Sequence, residues 1–365
     1  MEQENIPVIA VVGPTASGKT ALAVEFALCF GGEVVSADSM QIYRGLPVST
    51  AQPTSEEMRG VPHHLIAFLD WDQSFSVADY VARAGAVIRE IHARGRVPVL
   101  CGGTGLYVSS LLHHISFSEE PRDNVLRAAL EQRAQREGAQ VLLDELRTLD
   151  PETAVRLSLR DVKRIVRALE LCRLTGKTMA RLREESRREP SPYHACWIGL
   201  TYEDRSQLYD RVNHRVSLML ENGLLEEARR LMEYPGAATV KQAIGCKEFF
   251  PYFKGACSLE EAADKLRQET RRYAKRQLTW FRREQDVRWI ARDYVPDRLL
   301  VQEAARIVAK ELEIGYTIEQ RCGKKRLRPG SPMEGSVFCE QPVDSQIGCD
   351  LSGLSASLLY WLSGI

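Results

Sequence analysis

The stretch Gly13-Pro14-Thr15-Ala16-Ser17-Gly18-Lys19-Thr20 decides the fold of this 365-residue chain. It follows the apolar run from Val8 to Val12 and precedes a helix-forming run, so it lies where a buried strand turns into a helix. That context is typical of a phosphate-binding loop, or P-loop, whose glycines let successive backbone N–H groups point at an anion. We expect all eight residues to bind phosphate, with the Lys19 charge on the terminal phosphates and the Thr20 hydroxyl on Mg²⁺. The pattern leaves open whether the ligand is a nucleoside triphosphate or another diphosphate.

Composition indicates a soluble globular protein with more than one domain, because 44% of the residues are hydrophobic and 27% are charged. Lys plus Arg and Asp plus Glu both number 49, so only a local basic patch can argue for a nucleic-acid partner. The nine cysteines lack paired metal spacing and favour free thiols in a reducing compartment. We expect a cytoplasmic protein with no membrane partner, since no signal peptide or spanning segment is visible.

Two further predicted strands end in distinctive residues. Asp38 follows the strand from Glu33 to Ser36, and ligands sit beyond the carboxyl ends of parallel strands. The Asp38 carboxylate can bind Mg²⁺, accept a proton or cap a turn there. The strand from Val97 to Cys101 ends in a glycine-rich bend around Thr104 and lacks the acid that a hydrolytic P-loop ATPase places at such a strand end. This absence argues against a motor or switch ATPase.

The middle of the chain predicts an all-helical insertion, because strand-like runs vanish and Arg, Glu, Leu and Ala recur at helical spacing over 124–137, 139–149 and 161–175. Arg211 and Arg215 lie one turn apart on a later helix, where they either clamp a diphosphate or pair with nearby acids. The predicted fold is α/β, with a P-loop NTPase-like parallel sheet core and an inserted all-helical subdomain. Its divisions are the first part of the core (1–118), the insertion (119–190), the second part of the core (191–314) and a poorly ordered tail (315–365).

A basic helix supplies the local patch that neutral net charge conceals. From Leu259 to Glu284, eight Lys and Arg residues are interleaved with Tyr273, Trp280 and Phe281. Basic side chains contact phosphates and aromatic rings stack on unpaired bases, so we predict RNA binding here. The alternative is an amphipathic helix whose tryptophan packs inward and whose arginines are solvated. The adjacent His63 and His64 favour a hydrogen-bonding pair over a metal site.

Seven motifs in order resemble the tRNA dimethylallyltransferases, also called tRNA isopentenyltransferases. The likeness runs from about residue 7 to residue 313, and its motifs are the P-loop, Asp38 to Gly45, Pro62 to Ile66, Gly102 to Tyr107, Arg164 to Glu170, Gln242 to Gly245 and Ala274 to Arg282. The tail lies outside it. The resemblance implies transfer of a dimethylallyl group from its diphosphate to N6 of the adenosine 3′-adjacent to the anticodon, in tRNAs that read codons beginning with U.

The resemblance also implies the residue roles. Asp38 would take the N6 proton, while Lys19, Arg215 and Mg²⁺ on Thr20 neutralise the leaving diphosphate. The adenosine must leave its stack to reach this site, so base flipping is expected. The resemblance implies that the anticodon stem-loop of the tRNA binds to Asp38, Ser39, Met40, Gln41, Thr104, Arg127, Lys163, Arg164, Ile165, Val166, Arg167, Gln242, Ala243, Ile244, Gly245, Cys246 and Lys247. A monomer is expected, since one tRNA can bridge both parts.

This sequence departs from the family pattern at three positions. Gln52 stands where Lys is common, Ala67 where Asp is usual, and Cys246 where Tyr usually follows the glycine, which puts a stacking role of Cys246 in doubt.

Three rival functions stay open. A small-molecule kinase shares the P-loop but does not need the basic aromatic helix. An adenylate isopentenyltransferase acts on a free nucleotide but lacks the helical insertion. A non-catalytic RNA-binding protein does not explain why Lys19, Thr20 and Asp38 are all intact.

Overall fold

A six-stranded, entirely parallel sheet forms the centre of the computed structural model, which describes residues 5–117, 123–187, 189–320 and 323–327. The strands are β1 (Ile6–Val12), β2 (Glu33–Ser36), β3 (His63–His64), β4 (Pro98–Cys101), β5 (Tyr193–Thr201) and β6 (Val287–Ala291). Their order is β3-β2-β4-β1-β5-β6, so β1 pairs with β4 on one side and β5 on the other. The predicted parallel α/β core is confirmed.

Helices connect the strands and cover both faces of the sheet. They are α1 (Lys19–Phe30), α2 (Ser55–Met58), α3 (Val77–Ala93), α4 (Gly105–Leu112), α5 (Asn124–Glu137), α6 (Ala139–Leu149), α7 (Pro151–Val155), α8 (Val162–Thr175), α9 (Met179–Glu185), α10 (Arg205–Glu221), α11 (Leu224–Glu233), α12 (Phe250–Phe253), α13 (Leu259–Phe281) and α14 (Asp297–Leu312). One sheet face packs on α1 and α14, and the other packs on α3 and α4. Both faces of the central strand β1 are therefore buried, which is why its sequence is apolar without alternation.

Helix ends follow local capping chemistry. The Ser76 hydroxyl accepts the backbone N–H of Asp79 and the Asp79 carboxylate accepts that of Ser76, so a capping box begins α3. Ser258 and Glu261 form the same box at the start of α13. The α1 helix ends at Gly31, whose φ of +64° is a left-handed conformation that glycine adopts without strain. The basic helix predicted from Leu259 begins at that residue and ends at Phe281, three residues before the predicted Glu284.

Helices α5 to α9 are inserted between α4 and β5 and have a core of their own. Leu130, Leu142, Leu146, Ile165 and Leu169 are fully buried against one another. A different apolar cluster joins α10 to α13 with the segment after β2, where Ile42 and Leu46 are buried. The segment that follows Asp38 is therefore anchored on the C-terminal helices as well as on the sheet.

The expectation of a poorly ordered tail from residue 315 is wrong for its first part. Strands β7 (Tyr316–Gln320) and β8 (Gly323–Leu327) pair as an antiparallel hairpin. The Tyr316 ring is buried beside Phe30 of α1, with 5.5 Å between ring centroids, and this contact holds the start of the hairpin on the core. Residues 328–365 lie outside the described residues, and the four domain divisions stay predictions. Within the described ranges, no helix combines the length and the apolar character needed to cross a bilayer.

Candidate active site

The loop between β1 and α1 has the shape of an anion-binding nest. Gly13 has a φ of +138°, and a Cβ there would lie 2.5 Å from the carbonyl oxygen of Leu200. Gly18 has a φ of +86°, and a Cβ there would lie 1.8 Å from a guanidinium nitrogen of Arg292. Only glycine fits both positions. The backbone N–H groups of Lys19 and Thr20 donate to no other described residue, so the start of α1 presents free donors to an anion.

Cations bind the carbonyl oxygens of this loop. Lys19 Nζ donates to the oxygen of Pro14 at 2.6 Å, Arg211 Nε donates to that of Ala16 at 3.0 Å, and Arg292 Nη1 donates to that of Ser17 at 2.9 Å. Arg211 therefore binds the loop backbone, where the sequence left a diphosphate clamp and pairing with an acid as alternatives. The Lys19 ammonium carries three N–H donors, so it can bind a ligand while it keeps its bond to Pro14.

Lys19, Arg215 and Asp38 form the charged centre of the site. Burial lowers the pKa of Lys19 to about 8, with the Arg215 guanidinium acting in the same direction and Asp38 opposing it. Burial also lowers the pKa of Arg215, and Asp38 again opposes the shift. Two cations and one carboxylate thus lie close enough to influence one another, and an anionic ligand would relieve the repulsion between the cations.

Asp38 both caps a turn and keeps one oxygen available. Its Oδ1 accepts the backbone N–H groups of Met40 at 2.8 Å and Gln41 at 3.3 Å. Its Oδ2 accepts no hydrogen bond from the described part of the chain. The turn fixes the orientation of the carboxylate, which leaves the second oxygen for a substrate proton.

The residues after Asp38 divide between the site and the protein interior. The backbone N–H of Ser39 donates to Thr104 Oγ1 at 3.0 Å, which joins the loops after β2 and β4. The Gln41 amide donates to the carbonyl oxygen of Ala51 at 2.9 Å and accepts from Ser36 Oγ at 3.0 Å. Gln41 thus bonds within the protein and holds the loop in place, and its implied role in tRNA binding stays a prediction.

Gln52, where the family commonly has Lys, also supports this loop. Its amide nitrogen donates to the carbonyl oxygens of Gln41 at 3.0 Å and Tyr43 at 2.9 Å. These two bonds give Gln52 a supporting role beside the site. At Ala67, the other departure in this region, the backbone N–H donates to the Gln41 carbonyl at 2.9 Å, a bond that needs no particular side chain.

Gln277 and Arg292 were not predicted as site residues. Gln277 of α13 accepts the backbone N–H of Thr15 at 2.8 Å and donates to the carbonyl oxygen of Gly103 at 3.0 Å. Tyr273, one turn earlier, is partly buried; burial raises its pKa, and hydrogen bonds to Thr104 and Gln277 act in the opposite direction. A glutamine in an amphipathic helix gives no sequence signal of this kind, although the motif from Ala274 to Arg282 contains it.

A model of the family described as IPP transferase matches residues 41–284. This chain belongs to the IPP transferase family. A tRNA dimethylallyltransferase of Halalkalibacterium halodurans is 46% identical over 307 residues, which cover 84% of this chain and 97% of the relative. That of Bacillus subtilis is 46% identical over 290 residues, covering 79% and 92%. The resemblance predicted from the motifs is confirmed, and the chain is an enzyme of the tRNA dimethylallyltransferase type.

Solved structures agree with this family assignment. The tRNA isopentenylpyrophosphate transferase of Bacillus halodurans superimposes with a TM-score of 0.64 at 44% identity, covering 85% of this chain and 97% of that one. A eukaryotic dimethylallyltransferase acting on tRNA gives a TM-score of 0.72 at 28% identity, covering 83% and 78%. The predicted P-loop NTPase-like fold is confirmed through these neighbours of the IPP transferase family.

The α8 segment predicted to bind tRNA in this IPP transferase is only partly at the surface. Lys163 and Arg164 are exposed, but Ile165 and Val166 are 0% and 1% exposed in the core of the helical insertion. The five consecutive residues Lys163 to Arg167 cannot share one face of a helix, so Ile165 and Val166 pack inward, and contact of this segment with tRNA stays a prediction. Arg167 is partly exposed and points toward a buried acid.

That acid is Glu170, which joins α5 to α8. Its side chain is 0% exposed and accepts from Arg127 at 2.7 Å, from Arg167 at 2.8 Å and from the backbone N–H of Asp123 at 3.0 Å. Burial works against ionisation, but the hydrogen bonds from Arg167 and Arg127 outweigh it and lower the pKa of Glu170. One carboxylate thus fixes two of the arginines predicted to contact tRNA.

The segment from Gln242 to Lys247 is mostly buried. Gln242 is exposed, and Lys247 Nζ donates to its carbonyl oxygen at 2.9 Å. Ala243, Gly245 and Cys246 are buried and Ile244 is only partly exposed, so these residues present little surface to tRNA, and the contact of this segment with tRNA stays a prediction. Cys246 is 0% exposed within the apolar cluster of α10 to α13 and offers no face for base stacking.

Thr20 of the P-loop is the one metal-binding residue that the sequence predicted. Across the described ranges, no three His, Cys, Asp or Glu side chains come together as a metal site. His64 Nε2 lies 2.7 Å from Glu33 and His63 Nδ1 lies 2.9 Å from the carbonyl oxygen of Val61, so the predicted hydrogen-bonding pair is confirmed. Thr20 in the uncapped first turn of α1 fits Mg²⁺, which takes few protein ligands and completes its shell with phosphate oxygens and water.

Proposed function

We propose that this chain transfers a dimethylallyl group from dimethylallyl diphosphate to N6 of the adenosine 3′-adjacent to the anticodon, in tRNAs that read codons beginning with U. Relatives at 46% identity are named tRNA dimethylallyltransferases, and a structural neighbour is described as acting on tRNA. The observation that carries the proposal is the meeting of an anion-binding loop with one available carboxylate oxygen, that of Asp38, beside Lys19 and Arg215.

This juxtaposition suits substitution at an allylic carbon. N6 of adenosine attacks C1 of the dimethylallyl group, the C1–O bond breaks, and diphosphate leaves with the electron pair. Oδ2 of Asp38 takes the proton that N6 loses. Lys19 and Arg215, together with the N–H groups at the start of α1, stabilise the negative charge that develops on the leaving group.

Mg²⁺ is the proposed cofactor, held on the protein side by Thr20. When bound, it would neutralise diphosphate charge as the C–O bond breaks. The lack of an acid at the end of β4 fits this reaction, because no water has to be activated to attack a γ-phosphate.

The tRNA face is proposed from α13 and the helical insertion. Arg272, Lys275 and Arg276 are exposed on α13, while Tyr273 and Gln277 of the same helix reach the active-site loops. Lys163, Arg164 and the arginines on Glu170 extend the basic surface to α5 and α8. A flipped adenosine would enter between Asp38 and Thr104. The cytoplasm and a monomeric state stay predictions.

The test follows a label with purified protein and Mg²⁺. Radiolabelled dimethylallyl diphosphate or [γ-³²P]ATP is supplied with either a tRNA whose anticodon is followed by adenosine or with AMP. We expect dimethylallyl label in tRNA alone. Label in AMP would indicate a free-nucleotide enzyme, and phosphate transfer from ATP without prenyl transfer would overturn the proposal in favour of a kinase.

A further inference from the structure

Gln277 connects two loops that come from adjacent strands and a helix that comes much later in the chain. The P-loop follows β1 and the glycine-rich bend follows β4, and these strands are hydrogen-bonded neighbours. Gln277 is 5% exposed, and its two amide atoms bond one to Thr15 and the other to Gly103. No other described side chain hydrogen bonds to both loops.

The chemistry of the two partners fixes the residue type. A backbone N–H at Thr15 needs an acceptor, and a carbonyl at Gly103 needs a donor, and the two ends of the Gln277 amide supply one of each. Glutamate would set a carboxylate oxygen against the Gly103 carbonyl, and leucine of similar size would leave both buried groups unpaired.

Space around the amide is equally restricted. A Cβ at Gly103 would lie 2.0 Å from Nε2 of Gln277, so the bend must carry glycine for the amide to seat. Gly105, two residues on, meets Trp280 of the same helix in the same way, since a Cβ there would lie 2.2 Å from the indole ring. Helix α13 thus approaches the loop after β4 at two points where any side chain would prevent contact.

Helix α13 is also the helix whose exposed face is proposed to bind tRNA. Tyr273 and Gln277 lie on its inner face, one turn apart, while Arg272 and Arg276 precede each of them on the exposed side. The same rigid element therefore touches RNA on one side and the diphosphate loop on the other.

We propose that Gln277 is a positioning residue for the prenyl donor: its side-chain amide fastens the P-loop at Thr15 and the β4–α4 bend at Gly103 to the tRNA-binding helix, and so holds the diphosphate pocket in its binding shape. This inference rests on the proposed function for the identity of the donor. It predicts that loss of the amide impairs use of the diphosphate and leaves tRNA recognition by α13 intact.

The test compares Gln277→Leu with Gln268→Leu, the same change at an exposed position of the same helix. Binding of inorganic diphosphate with Mg²⁺ is measured by calorimetry, tRNA binding by filter retention, and both KM values in the transfer assay. For Gln277→Leu we expect about a tenfold or greater loss in diphosphate affinity, a matching rise in the KM for the donor, and a tRNA KM within about twofold of the parent. Gln268 lies on the exposed side of α13 with Arg272, so its variant is compared for the donor alone: the diphosphate affinity and the donor KM of Gln268→Leu should match those of the parent.

A purely structural role for Gln277 would loosen α13 and raise both KM values together, and that result would overturn the proposal, as would unchanged diphosphate affinity. If Gln277→Leu does not fold, Gly103→Ala provides the second variant, since its new methyl group displaces the amide without removing it. It should reproduce the selective loss of diphosphate affinity, and an unaltered affinity would again refute the inference. Because the diphosphate measurement needs no tRNA or prenyl group, it stays informative if the parent protein transfers no dimethylallyl group, a result that would overturn the proposed function alone.

Discussion

The lowered pKa of Lys19 predicts that the rate of transfer from the donor depends on pH. The dependence falls in a pH range in which the donor itself does not titrate. Burial lowers this pKa to about 8, and the ammonium must be charged to neutralise the diphosphate. The protonated fraction of Lys19 falls from about 0.9 near pH 7 to about 0.1 near pH 9. A terminal phosphate loses its last proton at about pH 6, so the donor keeps the same charge over this whole pH range. We therefore expect kcat/KM for dimethylallyl diphosphate to fall about tenfold between these two pH values.

The assay is initial-rate transfer to saturating tRNA at low donor concentration, with Lys19→Arg as the matched control. Arginine stays charged over the whole range, so the variant should be slower but should show no such decline. A flat profile for the parent protein would refute the assignment of the lowered pKa to a group that acts on the donor. An equal decline in Lys19→Arg would assign the titration to another group.

Three further results are expected. Asp38→Asn keeps the shape of the turn but removes the base, so kcat should fall about 10²- to 10⁴-fold while the affinity for tRNA in a filter-binding assay stays unchanged; lost tRNA binding would contradict the role as base. Glu170→Gln should lower the free energy of unfolding, measured in urea, by about 2–4 kcal/mol, because it breaks a buried ion pair. The control is Glu145→Gln, at a carboxylate that also pairs with two arginines but is 23% exposed, and it should cost about 1 kcal/mol or less. Equal losses in the two variants would show that burial does not set the difference. Gly18→Ala should abolish binding of inorganic diphosphate in calorimetry, because its methyl group meets Arg292 and its φ is positive, and retained binding would show that the loop can rearrange.

The pH dependence of stability follows from the same Glu170. Its pKa is lower in the folded protein than in the unfolded chain, so the unfolded chain takes up a proton first as the pH falls. The stabilisation by Glu170 is therefore fully present above the ordinary carboxyl pKa and is lost as the pH falls through the lowered pKa of the folded protein. The Glu170→Gln variant should therefore be less stable than the parent near neutral pH, and this difference should disappear in acid.

Local chemistry made much of the fold predictable. The helices Asn124–Glu137 and Ala139–Leu149 were placed to the residue, since Gly138 stands between them as a breaker. The P-loop and Asp38 were found because strand ends and helix starts concentrate chemistry at one edge of a parallel sheet. Residues whose role depends on their neighbours in the sequence could therefore be predicted from the sequence alone.

The rest depends on contacts between distant residues. Gln277 bonds to Thr15 across 262 positions, and nothing in its own helix marks it. Ile165 and Val166 were assigned with their charged neighbours as one motif, although helical periodicity sends them into the core. The hairpin after residue 315 was missed because the surrounding composition is polar, and the contact of Tyr316 with Phe30 becomes apparent only when α1 is in place.

The long separation between Thr15 and Gln277 has a consequence for how the protein is made. A ribosome adds about 5–20 residues per second, so the P-loop waits roughly 13–50 s for the residue that fastens it. One edge of β1 likewise stays unpaired until Tyr193–Thr201 has emerged. A nascent chain can thus display the whole glycine-rich sequence without a finished diphosphate pocket. If Gln277 shapes the donor pocket as proposed, a chain that ends before α13 would hold the prenyl donor weakly and would compete poorly for the cell's supply of it.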